Sequence, residues 1–81
     1  MEIRHTLRSK KSIKRLRKAI QLKFEKQAQL LISNPNYPSL HAKKYDKERG
    51  IWQARIDRSY RFYFLVRKGF YILLDITKHK K

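Results

Sequence analysis

Apolar residues recur along this chain with two different periods, and the change of period divides it. Residues 2 to 7 alternate apolar and polar, which predicts a short first strand. From Ser12 to Ser33 the apolar positions Ile13, Leu16, Ile20, Phe24, Ala28 and Leu31 follow at three- and four-residue steps and draw one helical stripe. Leu30 and Ile32 widen the stripe near its end, and Ser9 is placed to cap a following helix. The segment fits one long helix or two joined near Lys18, because neither Pro nor Gly interrupts it. Asn34-Pro35-Asn36-Tyr37-Pro38-Ser39 is a stop, since the residue before each proline is pushed out of the helical region and Asn and Ser favour turns.

Beyond that stop the period becomes two. Residues 41 to 45 predict a short strand, and Trp52–Asp57, Tyr60–Arg67 and Phe70–Thr77 predict three more, rich in aromatic and β-branched residues. Alternation places Trp52, Ala54 and Ile56 on one face, with Tyr60, Phe62, Phe64 and Val66, then Phe70, Ile72, Leu74 and Ile76. The expected fold is α+β in two layers: an N-terminal short strand and a helical hairpin packed on a twisted antiparallel sheet of about four strands.

The same parity sets an expected register. If the three apolar sets share a core face, Ile56 stands opposite Tyr60 across a loop at Asp57-Arg58-Ser59, and Arg55 stands opposite Arg61 on the other face. Closing the next hairpin around Arg67-Lys68-Gly69 places Asp75 opposite Arg61 and Leu73 opposite Tyr63. The non-core face then presents Arg55, Arg61 and Asp75 in a row, with Gln53 and Tyr63 alongside. Either Asp75 ties up one arginine while the other meets water, or a phosphate bridges both guanidinium groups, whose planar forks bind its oxygens in bidentate fashion.

Composition sharpens this picture. With 81 residues the chain is expected to form one domain spanning 1–81. A domain this size buries only about 60% of the surface its unfolded form exposes, so its stability margin is small. It nevertheless carries 22 Lys and Arg against 6 Asp and Glu, a formal charge of +16. Self-repulsion at that level costs stability, which points to an acidic partner: nucleic acid first, then an acidic protein or an anionic surface. Much of the charge, including Lys10, Lys14, Arg15, Arg17, Lys18, Lys23 and Lys26, lies on the helical segment opposite the apolar stripe.

No cysteine is present, so disulfides and thiolate metal sites are excluded. His5, His41 and His79 are scattered and define no metal-ligand spacing, and no small-molecule cofactor is expected. The first residues lack the apolar core of a signal peptide, and no apolar run is long enough to span a bilayer, so a cytoplasmic location without membrane association is expected. Lys43 and Lys44 could neutralise phosphates, although adjacent strand residues alternate faces and at most one enters a given cleft. His79 follows the last strand at the parity of Asp75 and Thr77. It is either a solvated residue among lysines or a proton carrier, a role that suits an imidazole titrating near neutrality.

These residues resemble a known family. A basic helical hairpin is followed by Asn34-Pro35-Asn36-Tyr37-Pro38-Ser39-Leu40, Lys43-Lys44, Gly50-Ile51-Trp52-Gln53-Ala54-Arg55-Ile56, Tyr60-Arg61-Phe62 and a last strand ending near His79. In that order and spacing, over nearly the whole chain, they are similar to the RelE/ParE toxin superfamily. The resemblance implies a toxin of a type II toxin–antitoxin pair that enters the ribosomal A site and cleaves mRNA there. Arg55 and Arg61 would then hold the phosphate and the transition-state charge, and His79 would shuttle protons. Lys43, Lys44, Arg58, Lys78 and Lys80 would be further phosphate contacts, and the partners would be an acidic antitoxin, the ribosome and mRNA. Two features depart from the pattern. Lys80 and Lys81 follow His79 where some active members carry a nearby tyrosine, and no acidic base matches in the second-strand region, since Glu48 lies in the next loop. The resemblance therefore also admits a ParE-like poison of DNA gyrase, or a member that only binds RNA or an antitoxin.

Overall fold

The computed structural model describes residues 1–79. Its elements are β1 (Glu2–His5), α1 (Leu7–Arg15), α2 (Lys18–Ser33), a 3-10 turn (Pro38–Leu40), β2 (Lys43–Asp46), β3 (Ile51–Arg55), β4 (Tyr60–Arg67) and β5 (Phe70–Lys78). The helical region is two helices. Leu16 takes an extended backbone after α1, and the Gln21 amide donates to the carbonyls of Ile13 and Leu16, both at 3.0 Å. One side chain of α2 thus satisfies acceptors that the end of α1 leaves open. The cap of α1 is Thr6, whose hydroxyl accepts from the Ser9 amide at 3.1 Å; Ser9 itself is buried inside the helix. No helix among the described residues is long and apolar enough to cross a membrane.

The sheet has five strands in the order β1-β5-β4-β3-β2, one more than expected. The added strand is β1, which runs parallel to β5 from Glu2 opposite Phe70 to His5 opposite Leu73. Parallel neighbours need a long crossover, and everything between residues 6 and 69 supplies it. The α+β layering is as expected. The stripe residues Ile20, Phe24, Ala28 and Leu31 bury against Ala54, Ile56, Phe62, Phe64, Tyr71, Leu73 and Ile76, with Leu40 closing one end. Phe24 meets Phe62 edge-on at 5.5 Å, and Tyr71 meets Phe64 in the same way at 5.5 Å.

The meander departs from the expected register in β5. Its hairpin with β4 is tighter than expected: Arg67 pairs with Phe70, so only Lys68 and Gly69 form the turn, and Gly69 takes φ +85°. This moves every side chain of early β5 to the opposite face. Tyr71 and Leu73 are therefore buried in the core, whereas Phe70, Ile72 and Leu74 are only half-buried. The Arg4 guanidinium covers the Phe70 ring at 3.9 Å. A register shift between Tyr63 and Phe64, taken up on β5 near Leu74, restores the phase, and Ile76 returns to the core. Thr77, not Asp75, therefore stands opposite Arg61, and Asp75 stands opposite Tyr63.

One buried polar side chain ties these layers together at the end where the arginines lie. Gln27 of α2 donates to the Arg55 carbonyl at 2.9 Å and to the Ser39 carbonyl at 3.3 Å. Replacing it with leucine of similar volume leaves both carbonyls without that donor. The Gln27→Leu variant is expected to lose about 1 to 3 kcal/mol in urea denaturation. An unchanged midpoint would show that these bonds do not hold the strand end to the helix.

Candidate functional site

The loop joining β3 to β4 is organised by Asp57. Its carboxylate accepts from the amides of Ser59 at 2.8 Å and Tyr60 at 2.9 Å, and faces Lys23 of α2 at 3.5 Å. Burial pushes the carboxyl up, but the two amides and the Lys23 ammonium outweigh it and hold Asp57 below its ordinary value of 3.8. This turn aims its carbonyls at one guanidinium. Arg61 Nη1 donates to the carbonyls of Asp57 at 2.8 Å, Tyr60 at 3.1 Å and Arg58 at 3.2 Å.

Arg61 is only 7% exposed, and among the described residues no carboxylate pairs with it. Among the described residues its hydrogen bonds all run through Nη1, and its side chain lines a cleft. Burying a cation without a counter-charge is costly, and carbonyl dipoles offset only part of it. Arg55 stands directly opposite Arg61 on β3, half-buried, and its guanidinium has no ion pair among the described residues. Asp75, one of the two candidate partners weighed for an arginine, is engaged elsewhere: it accepts from the Ser12 hydroxyl at 2.6 Å and pairs with Arg8 at 3.3 Å, both on α1.

The two arginines line a cleft of about 420 Å³ together with His41, Ala42, Lys43, Gln53 and His79. His79 is carried there by β5, and its amide donates to the Ser59 carbonyl. Lys43 faces the cleft, whereas Lys44 lies on the other face with its ammonium 4.9 Å from the centroid of the Trp52 ring. Arg58 and Lys78 are exposed outside the lining, although the Arg58 carbonyl helps to hold Arg61. Lys80 lies outside the described residues. A separate hollow of similar volume, between the 3-10 turn, Trp52 and Tyr71, has a mainly apolar lining and holds neither arginine.

His41 is the residue that sequence reasoning missed. It ends the 3-10 turn in a left-handed conformation, φ 46° and ψ 40°, which non-glycine residues rarely adopt. The turn is anchored by the fully buried Leu40, and the His41 amide donates to the Pro38 carbonyl at 3.2 Å. The usable signal was its position two residues before Lys43, immediately after a proline-rich turn. The cleft thus brings two guanidinium groups and an ammonium to one place, with an imidazole from each of two separate elements. Such a set can bind a phosphodiester and exchange protons with it.

Asp57 supports both the loop and Arg61, which gives a pH test. A carboxyl held below its ordinary value contributes in full above pH 3.8, and the contribution disappears as pH falls through the lowered value. Asp57→Ala is therefore expected to unfold more easily by about 1 to 2 kcal/mol near neutral pH. That difference should vanish in strong acid. Denaturant titrations at both pH values check this, and a difference independent of pH would contradict it.

No family sequence model matches the chain, and no curated protein matches it in sequence. Solved structures do match in shape. A YoeB/ParE toxin from Agrobacterium tumefaciens aligns over 99% of this chain and 100% of its own, with TM-score 0.81 at 17% identity. The toxin–antitoxin complex RelBE2 of Mycobacterium tuberculosis contains a chain aligning over 96% of both, with TM-score 0.78 at 18% identity. A chain of the archaeal RelE–RelB complex from Pyrococcus horikoshii aligns over 95% of this chain and 92% of its own, with TM-score 0.78 at 17% identity. From the parallel first strand to the arginine-bearing meander, this chain has the fold of the RelE/ParE-like toxins.

Proposed function

We propose that this protein is the toxin of a type II toxin–antitoxin pair and cleaves mRNA on the ribosome. The observation that carries the reading is Arg61, buried, pinned by three carbonyls and lacking a carboxylate partner among the described residues, directly opposite a second arginine. Strand-mounted guanidinium groups without a carboxylate partner among the described residues suit a phosphodiester whose charge grows during reaction. The RNA 2′-hydroxyl attacks the adjacent phosphorus and the bond to the 5′-oxygen breaks, which leaves a 2′,3′-cyclic phosphate and a 5′-hydroxyl. Arg55, Arg61 and Lys43 stabilise the added negative charge. Of His41 and His79, one accepts the 2′-hydroxyl proton and the other protonates the leaving oxygen, which compensates for the missing acidic base.

The partner that restrains this activity is an acidic antitoxin, as the charge of +16 requires and as the antitoxin-bound neighbours suggest. Arg55→Ala and Arg61→Ala are each expected to lower cleavage about 100- to 1,000-fold, the usual effect of removing one donor to a developing anion. Mapping mRNA ends on ribosomes after induction measures this, with circular dichroism confirming that each variant folds. Growth arrest with intact ribosome-bound mRNA would refute the reading, and trapped gyrase–DNA complexes would replace it with a gyrase poison.

A further inference from the structure

The sheet face that carries the arginines also carries an aromatic pair that the phosphate grip does not use. In β2, Lys43 pairs with Gln53 and Lys44 with Trp52, but Asp46 pairs with Ile51. Tyr45 is therefore the extra residue of a bulge, a device that re-aims a side chain and is frequent beside functional sites. Its ring meets that of Tyr63 edge-on, with centroids 4.9 Å apart and planes at 64°. Tyr63 stands directly opposite Gln53, and its hydroxyl accepts from the Gln53 amide at 3.1 Å. Tyr63 and Gln53 are half-buried and fixed, whereas Tyr45 is 60% exposed.

The pair is linked to the arginine cleft through Gln53, the hydrogen-bond partner of Tyr63. Gln53 lines it, one same-face step along β3 from Arg55, which is about 6.7 Å. The nearest acid on the strand, Asp46, is held by Arg49 at 3.7 Å and does not repel a polyanion freely. An exposed ring, braced from below on a face shared with a phosphate grip, is an arrangement by which proteins hold unstacked bases of single-stranded nucleic acid.

We propose that Tyr45, braced by Tyr63, is the stacking platform for a nucleobase of the strand whose phosphate Arg55 and Arg61 hold. The inference rests on the RNA reading above and adds the subsite that sets the position of the strand. Because every base has a π-face, the platform supplies affinity and placement and leaves sequence choice to other contacts.

The test is anisotropy of a fluorescein-labelled single-stranded RNA hexamer, together with a hexamer of abasic riboses, across a salt series. Tyr45→Ala is expected to weaken binding of the base-bearing strand about 5-fold or more. It should leave the salt slope unchanged, because no phosphate contact is lost. Tyr45→Phe keeps the ring and should bind as the wild type does, which separates stacking from damage to the fold. On the abasic strand, wild type and Tyr45→Ala should bind alike. Arg55→Ala should instead reduce the salt slope by about 1 on both strands. Equal binding of the base-bearing strand by wild type and Tyr45→Ala, while Arg55→Ala weakens it, would overturn the platform and leave the phosphate grip standing. Wild-type protein that binds neither strand would overturn both.

Discussion

The structure turns on a guanidinium group that the fold buries without a carboxylate partner among the described residues. Arg61 is gripped by three carbonyls of the β3–β4 loop, that loop is held by Asp57, and Asp57 is tied to Lys23 on α2. Gln27 fastens the end of β3 to the same helix. The helical layer thus holds both partners of the arginine pair from behind. Holding a cation in this way costs free energy that a small domain can spare only in part. In the function proposed above, an incoming anion recovers that cost.

The distribution of the few acids supports the same view. Among the described residues, Glu2 pairs with Arg4, Asp46 with Arg49, Asp57 with Lys23 and Asp75 with Arg8. Each of these four acids is engaged by a basic residue other than Arg55 and Arg61. The seven basic residues on the outer helical face are exposed, and among the described residues only Lys23 of the seven makes an ion pair. In the proposed reading, long-range attraction comes from this broad solvated surface, screened within a Debye length, and the grip from two arginines on rigid strands.

Much of this was legible in the sequence, for identifiable reasons. β4 spans Tyr60–Arg67 as its alternation predicts, because polar residues at 61 and 63 interrupt the apolar ones and leave one parity. The same parity correctly set Arg55 opposite Arg61. β5 was illegible for the converse reason. Phe70 to Leu74 are all apolar, so either face could be the core, and a two-residue turn followed by a bulge decided the matter. The parallel position of β1 depends on a pairing across nearly seventy residues that no local pattern encodes. His41 and Tyr45 owe their directions to a left-handed residue and to a bulge, and neither leaves a trace in residue type. The break between α1 and α2 needed neither Pro nor Gly, because a glutamine amide supports it.

The central claim is that two particular arginines, out of 22 basic residues, form an anion site. Arginine side-chain N–H resonances followed by NMR during titration with a short single-stranded RNA test it directly. The account predicts that Arg55 and Arg61 shift together and saturate at one concentration, while Arg15, Arg17 and Arg67 respond weakly and without saturation. A uniform, unsaturated response across all the arginines would show that the surface attracts the polyanion without a site, and would contradict the account.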